Sequence, residues 1–421
     1  MSVLKLLDPI HHQGLRLALG AFRTSPVKSL YAEAKEPSLA HRRLKLSLNY
    51  VLKLKSCPDN PAYDCVFNPP DAALFEPASL TPPLGIRIQP HLENSNINPK
   101  SIQTQLFTTT PPWCFPEPVV DLYLSQHKKE TTNPVFYKQA FLEHREIYKD
   151  YLEIYTDGSK LEEKSAAAAV VRSRTRAPSS CRLPDHCSIY TAELQAIILA
   201  LKHVFCLKNC NKFLILSDSL SALQALKQLK TDHPLLATIH EILPNLKQKD
   251  KDIVFMWIPG HVNIRGNETA DKLAKMALVE DPIKSKVPYS DLKPLVNKYV
   301  FSTWQADWDE EVYNKFHAIL PKLDENLPSF CTSRKEESVL TRLRIGHTFY
   351  THNFILKRED PPFCFACNEV MSVMHILIKC ADLIEVRKKF YDVPSLFELF
   401  RSVPFKLICG FLKEIGIFNR V

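Results

Sequence analysis

Two sets of residues in this 421-residue chain have the types and spacing to do chemistry. The first is a series of acids: Asp157, Glu193, Asp218 and Asp271, separated by 36, 25 and 53 positions. Taken singly, an Asp after an apolar run is usually a turn residue or a helix cap, and Glu193 reads as an exposed helix position. As a set they suit a harder task. Cutting a phosphodiester at neutral pH needs an activated water and a stabilised leaving oxygen, which two Mg²⁺ ions about 3.5–4 Å apart can supply. Mg²⁺ takes oxygen ligands, few of them from protein, so such a site needs carboxylates converging from different elements. The second set is Cys364-x2-Cys367-x7-His375-x4-Cys380. Three thiolates and an imidazole suit one tetrahedral Zn²⁺.

The elements that must position the acids follow from apolar periodicity. Leu152–Thr156 reads as a strand running into Asp157-Gly158-Ser159, and Ser165–Arg172 as a second strand. A third occupies the stretch up to Cys187. Tyr190–Val204 reads as a helix with Leu194, Ile197, Ile198 and Leu201 on one face, carrying Glu193 near its start. Lys212–Ser217 is an apolar strand ending at Asp218. Helices over Ser219–Leu229 and Leu235–Leu246, a strand over Ile253–Ile258 and a helix over Asn267–Leu278 complete the pattern, with Asn267 as N-cap and Asp271 one turn in. Alternating strands and helices predict an α/β sheet, and strand ends beside a sheet crevice are where such folds bind ligands.

Composition is ordinary for a globular protein, 45% hydrophobic and 24% charged, and the length predicts two or three domains. The net charge of +8 fits a polyanionic partner. Residues 1–60 hold ten Lys/Arg against four Asp/Glu, which a solvated helical surface also explains. The start lacks the apolar core of a secretory signal, and no run of about 18 apolar residues predicts a membrane span. Twelve scattered cysteines point to a reduced, intracellular setting, cytoplasmic or nuclear. Fourteen of 31 prolines fall in residues 57–136, predicting a linker with little regular structure. Residues 281–421 read as mostly helical, with Trp304, Trp308 and Tyr313 at near-helical spacing as core and His347 and His352 as structural.

Four motifs in order carry a resemblance. Ile154-Tyr155-Thr156-Asp157-Gly158-Ser159, Thr191-Ala192-Glu193-Leu194, Leu216-Ser217-Asp218-Ser219, and Trp257-Ile258-Pro259-Gly260-His261 followed by Gly266-Asn267-Glu268-Thr269-Ala270-Asp271 resemble type 1 ribonuclease H. The resemblance implies a mixed five-stranded sheet flanked by helices. It also implies cleavage of the RNA strand of an RNA–DNA hybrid, leaving 5′-phosphate and 3′-hydroxyl ends. By it, Asp157 bridges two Mg²⁺ ions (Mn²⁺ able to substitute), Glu193 and Asp218 complete one site, Asp271 completes the other, and His261 assists proton transfer. Hybrid recognition in the family uses 2′-hydroxyl and phosphate contacts. The basic, Trp-containing handle helix of some members is replaced here by Thr231–Asp252 with few lysines, so flanking segments are expected to help hold the hybrid.

The flanks resemble jockey-like non-LTR retrotransposon polyproteins. Leu6–His12 and Gly20–Pro26 resemble the segment after the polymerase domain, and Arg342–Thr348 with the Cys/His cluster resembles the polyprotein end. The implied organisation is a helical segment over 1–56, a Pro-rich linker over 57–147, a ribonuclease H domain over 148–280 and a helical region over 281–421, its knuckle at 364–380 contacting single-stranded nucleic acid. No membrane partner is expected. No Tyr-x-Asp-Asp polymerase motif occurs. The competing readings are a non-catalytic nucleic-acid-binding remnant and a cellular ribonuclease H of genome maintenance.

Overall fold

The structure is a computed structural model that describes residues 6–69, 75, 81–105, 111, 116–127, 132–172, 177–228, 231–329 and 331–421. Parts of the Pro-rich stretch, of the loop before the third expected strand and the end of the Ser219–Leu229 helix lie outside them. The chain opens with helices α1 (Asp8–Leu19), α2 (Val27–Ala34) and α3 (Leu39–Lys55), the first two separated by Gly20–Pro26. Then come α4 (Ala62–Phe67), α5 (Leu84–Asn94), strand β1 (Val119–Asp121) and α6 (Pro134–Arg145). The alternating region holds β2 (Leu152–Leu161), β3 (Lys164–Val171), β4 (Ser179–Arg182), α7 (Ile189–Cys206), β5 (Lys212–Ser217), α8 (Leu220–Leu226), α9 (Pro234–Lys247), β6 (Asp252–Trp257) and α10 (Arg265–Ala277). The remainder is α11 (Lys293–Asp309), α12 (Arg334–Ile345), α13 (Phe349–Lys357), a small hairpin of β7 (Phe363–Cys364) and β8 (Glu369–Val370), α14 (Ile384–Lys388), α15 (Leu396–Ser402) and α16 (Phe405–Glu414).

The chain divides into two units, residues 47–296 and residues 1–46 with 297–421. In the first, the sheet order is β1-β6-β5-β2-β3-β4. The pairs β1–β6, β6–β5 and β5–β2 are parallel, while β2–β3 and β3–β4 are antiparallel. The sheet therefore has six strands rather than five. The extra one, β1, comes from the stretch whose prolines predict little regular structure. That stretch also holds α4 and α5, so the expectation is corrected for its described residues. Proline is tolerated at a sheet edge, and Pro118 sits immediately before β1 there. Asp121 fastens this edge: it accepts hydrogen bonds from Tyr148 Oη at 2.8 Å and pairs with His144 Nε2 at 2.6 Å.

Helix α7 shows why the sheet is stable. Its Leu194, Ile197, Ile198 and Leu201 are buried in the core with Phe213, Ile215 and Phe255, each large aliphatic contributing about 2 kcal/mol. It is the one described helix long and apolar enough to cross a membrane, and most of it is core. Strand β3 is a run of small residues, Ala166–Ala169. Its alternate side chains face different partners, Ala167 and Ala169 in the main core and Ala166 against Ala277 and Leu278 of the α10 region. Small side chains let helices approach both faces closely.

The second unit is helical around Trp304, Trp308, Phe316, Leu343, Leu377 and Phe411. Tyr31 and Ala32 of α2 join that core. Trp308 is fully buried and donates from Nε1 to the Leu320 carbonyl at 2.8 Å. Tyr313 does not join it. It lies beyond the end of α11 and is 98% exposed. His347 and His352 stack at 3.7 Å, and burial holds them low, at about 3 and about 4, so both are neutral packing groups.

Candidate active site and metal centres

Strand β2 does not end at Asp157 but runs on to Leu161, because its antiparallel partner β3 continues alongside. Its parallel pairing with β5 stops at Thr156–Ser217. Asp157 and Asp218 are therefore the first residues past the point where the two strands part, which places their carboxylates side by side. Glu193 comes from the first turns of α7, which close tightly on β2. A β-carbon at Gly158 would stand 2.8 Å from the Glu193 backbone nitrogen. On the other side the Ile258–Ile264 loop closes equally tightly, since a β-carbon at Gly260 would lie 2.4 Å from Asp218 Oδ2.

One carboxylate oxygen from each of Asp157, Glu193 and Asp218 lies within 4.8 Å of the others. Asp157 and Glu193 are buried, 6% and 7% exposed. Asp271 stands beside them. Burial, then the charges of Asp218 and Asp271, pushes the Asp157 carboxyl up to about 8, and Asp271 accepts a hydrogen bond from its protonated form. Burial, then Asp157 and Asp218, pushes Glu193 well above the carboxylate range. Glu193 Oε2 is buried with no hydrogen-bond partner. Crowded acids and a buried carboxylate oxygen with no hydrogen-bond partner suit an all-oxygen divalent cation site.

Helix α10 starts at Arg265, two residues before the expected start, with Ile264 at the N-cap. Asn267 is therefore inside the helix. It is buried and donates from Nδ2 to Asp218 Oδ2 at 3.4 Å, a long contact. Asp271 consequently sits nearly two turns in. His261 is exposed, in left-handed backbone (φ 61°), and groups with Glu268 and Asp271 within 4.8 Å. Glu268 is a site residue that sequence reasoning passes over. Its only signal is its spacing three residues before Asp271, which puts both on one helix face. Lys275, one turn further on, pairs with Asp271 at 2.8 Å. A second overlooked residue is Asp291. Buried, it accepts from Ser188 N at 2.8 Å, Ser188 Oγ at 3.0 Å and Thr191 Oγ1 at 2.5 Å. Ser188 in turn caps α7 by accepting from Thr191 N. Asp291 thus fixes the helix start that carries Glu193.

The sulfur cluster is built locally. Cys364 ends β7, Cys367 lies in the hairpin turn, and His375 begins a turn of π-helix that leads to Cys380. All four offer ligand atoms within 4.8 Å of one another. Cys364 Sγ and Cys367 Sγ each lie 3.9 Å from Cys380 Sγ, close to the edge of about 3.8 Å expected of thiolates around tetrahedral zinc. His375 Nε2 is buried without a partner, while Nδ1 faces Glu369 Oε2 at 3.1 Å. That is the carboxylate–histidine arrangement by which metal-ligating imidazoles are oriented. The Ala381 N–H holds the Cys367 thiol below its usual range, and burial pushes Cys380 up to about 11.

Residues 149–279 match the model of the RNase H family. Among solved structures, RNase H1 from the halophilic archaeon Halobacterium salinarum NRC-1 matches at 22% identity, over 31% of this chain and 99% of its own, with a TM-score of 0.27. No curated protein matches the chain. The family match falls on the segment that supplies β2 to β6, α7, α10 and all four acids, so residues 149–279 are an RNase H domain with the RNase H fold.

Proposed function

We propose that this domain, over residues 148–280, hydrolyses the RNA strand of RNA–DNA hybrids, leaving 5′-phosphate and 3′-hydroxyl ends. The observation that carries this is the convergence of Asp157, Glu193, Asp218 and Asp271, with two of their carboxyls displaced upward by burial and mutual repulsion. RNase H domains act on hybrids generally, which agrees. Asp157 would hold two divalent cations, Glu193 and Asp218 one of them, Asp271 the other. When bound, such cations polarise the phosphate and lower the pKa of water. The chain does the rest. The backbone amide of Gly158 favours the charged forms of both Asp157 and Glu193, opposing in part the upward push of burial. Asn267 and the Trp257 indole, which donates to the Asp218 carbonyl at 3.1 Å, hold Asp218. Exposed His261 stands beside Glu268 and Asp271 and moves a proton to or from the leaving group.

The Cys364–Cys367–His375–Cys380 cluster would hold one Zn²⁺ and present its hairpin to single-stranded nucleic acid. The flanking motifs support an origin in a retrotransposon polyprotein, where the ribonuclease would remove template RNA. The test is cleavage of a labelled hybrid with Mg²⁺ by the whole chain and by Asp218→Asn. RNA-strand cutting abolished by the substitution is expected. A folded wild-type chain that binds hybrid but never cuts, even with Mn²⁺, would instead make it a binding remnant.

A further inference from the structure

Helix α6 lies outside the matched domain, yet it walls a cleft of about 710 Å³ whose other wall includes Arg265, Gly266 and Thr269 of α10, the helix that carries Asp271. The cleft is strongly basic: Lys138 and Arg145 of α6, Arg172 after β3 and Arg265 at the start of α10 all line it. A buried acid, Glu153, fixes two of them. Glu153, 6% exposed, pairs with Arg172 NH1 at 2.7 Å and Arg145 Nε at 3.3 Å, and accepts from Tyr155 Oη at 2.7 Å. The Tyr155 ring is seated where a β-carbon at Gly266 would intrude to 2.2 Å. Lys138 and Arg265 are exposed, and neither pairs with a carboxylate among the described residues. Glu153 balances one cation and surface Glu146, 3.9 Å from Arg145, weakly a second, so positive charge remains in excess.

Position on α10 gives the cleft its meaning. Arg265 precedes Glu268 and Asp271 on the same helix. At 1.5 Å per residue, Arg265 and Asp271 are about 9 Å apart along the axis. The same length of duplex axis holds between two and three base steps, at about 3.4 Å of axial rise each. We propose that this cleft holds the phosphodiester backbone of the hybrid two to three steps from the cut, supplying the affinity that the lysine-poor Thr231–Asp252 segment does not. The inference rests on the ribonuclease reading. It makes α6 part of the substrate platform, with Lys138 and Arg265 as the contacting cations and Glu153 as the residue that positions Arg145 and Arg172.

The experiment uses the whole chain with Lys138→Glu, Arg265→Glu and both, each checked for folding by circular dichroism. On a long hybrid each substitution should raise KM by about tenfold with kcat within about twofold. Each should also reduce the slope of log affinity against log salt by about one. Hybrids trimmed to fewer than two base pairs on the cleft side should erase the difference between variants and wild type. Unchanged KM and unchanged salt slope in a chain that cuts would overturn the cleft while leaving the ribonuclease intact. If the wild type does not cut, hybrid binding is followed by fluorescence anisotropy in Ca²⁺. Weaker binding by the variants then supports the cleft although the ribonuclease reading has failed, and equal binding overturns the cleft as well.

Discussion

The two ligand clusters are assembled in opposite ways. The carboxylates come from β2, α7, the end of β5 and α10, and they meet only because the sheet and its helices are complete. The sulfur set lies within Cys364–Cys380, and a hairpin with one turn of π-helix suffices to bring it together. The first is a site that the fold makes. With a metal bound, the second would help to make its own fold, since three thiols and an imidazole offer little to pack around without one. A further contrast follows. The carboxylate cluster is strained by charge and should make its unit less stable when metal-free, whereas the sulfur cluster should lose structure without metal.

The largest effect should separate activity from stability. Asp157→Asn should reduce hybrid cleavage by ~10³-fold or more. Yet it should raise the metal-free melting temperature at alkaline pH, by roughly 4–8 °C for about 2 kcal/mol in a unit of this size. A lower melting temperature would mean that the acids are not crowded. Next, Cys364→Ser or strong chelation should release one zinc per chain, measurable by elemental analysis, and cost its unit about 3 kcal/mol. A chain purified without zinc and unaffected by chelators would remove the contrast. His261→Ala should lower kcat by ~10²-fold with KM nearly constant, and an unchanged kcat would leave His261 as a loop residue.

The pH dependence has a definite sign. Asp157 is raised from its usual value to about 8, so the folded chain binds a proton there that the unfolded chain has lost. Metal-free stability is therefore fully present below about pH 4 and falls as pH rises through about 8. Calorimetric melting across that range would check this, with Mg²⁺ expected to reverse the fall. The smallest effect is at Asp291→Ala, which should cost about 1–2 kcal/mol by removing the acceptor for Ser188 N, Ser188 Oγ and Thr191 Oγ1. It should depress kcat more than KM by loosening Glu193. A kcat that does not move would confine Asp291 to stability.

What could be read from the sequence follows the same division. Asp157, Glu193, Asp218 and Asp271 were legible because the chemistry demands carboxylates at the ends of particular elements, and the structure brings all four together. The Cys/His set was legible because its spacing is local. Strand β1 was not, since three residues just after Pro116 and Pro118 carry no periodicity and only pairing with β6 makes them a strand. Glu268 and Asp291 were not either, because each takes its meaning from a partner distant in the chain. Tyr313 shows the converse: its spacing continued that of Trp304 and Trp308, but the helix had already ended.

Strand β1 also bears on how the protein avoids sticking to itself. Without it, β6 would be the sheet's outer strand, presenting a row of unsatisfied amides and carbonyls flanked by Val254 and Phe255. Exposed rows of that kind template intermolecular β-pairing and aggregation. Val119–Asp121 occupies the row in parallel register, and Asp121 is clamped by His144 and Tyr148 so that it stays there. A fragment cut at residue 148, as the boundaries of the RNase H domain would invite, discards this cover. It should be less soluble than one beginning before Pro116.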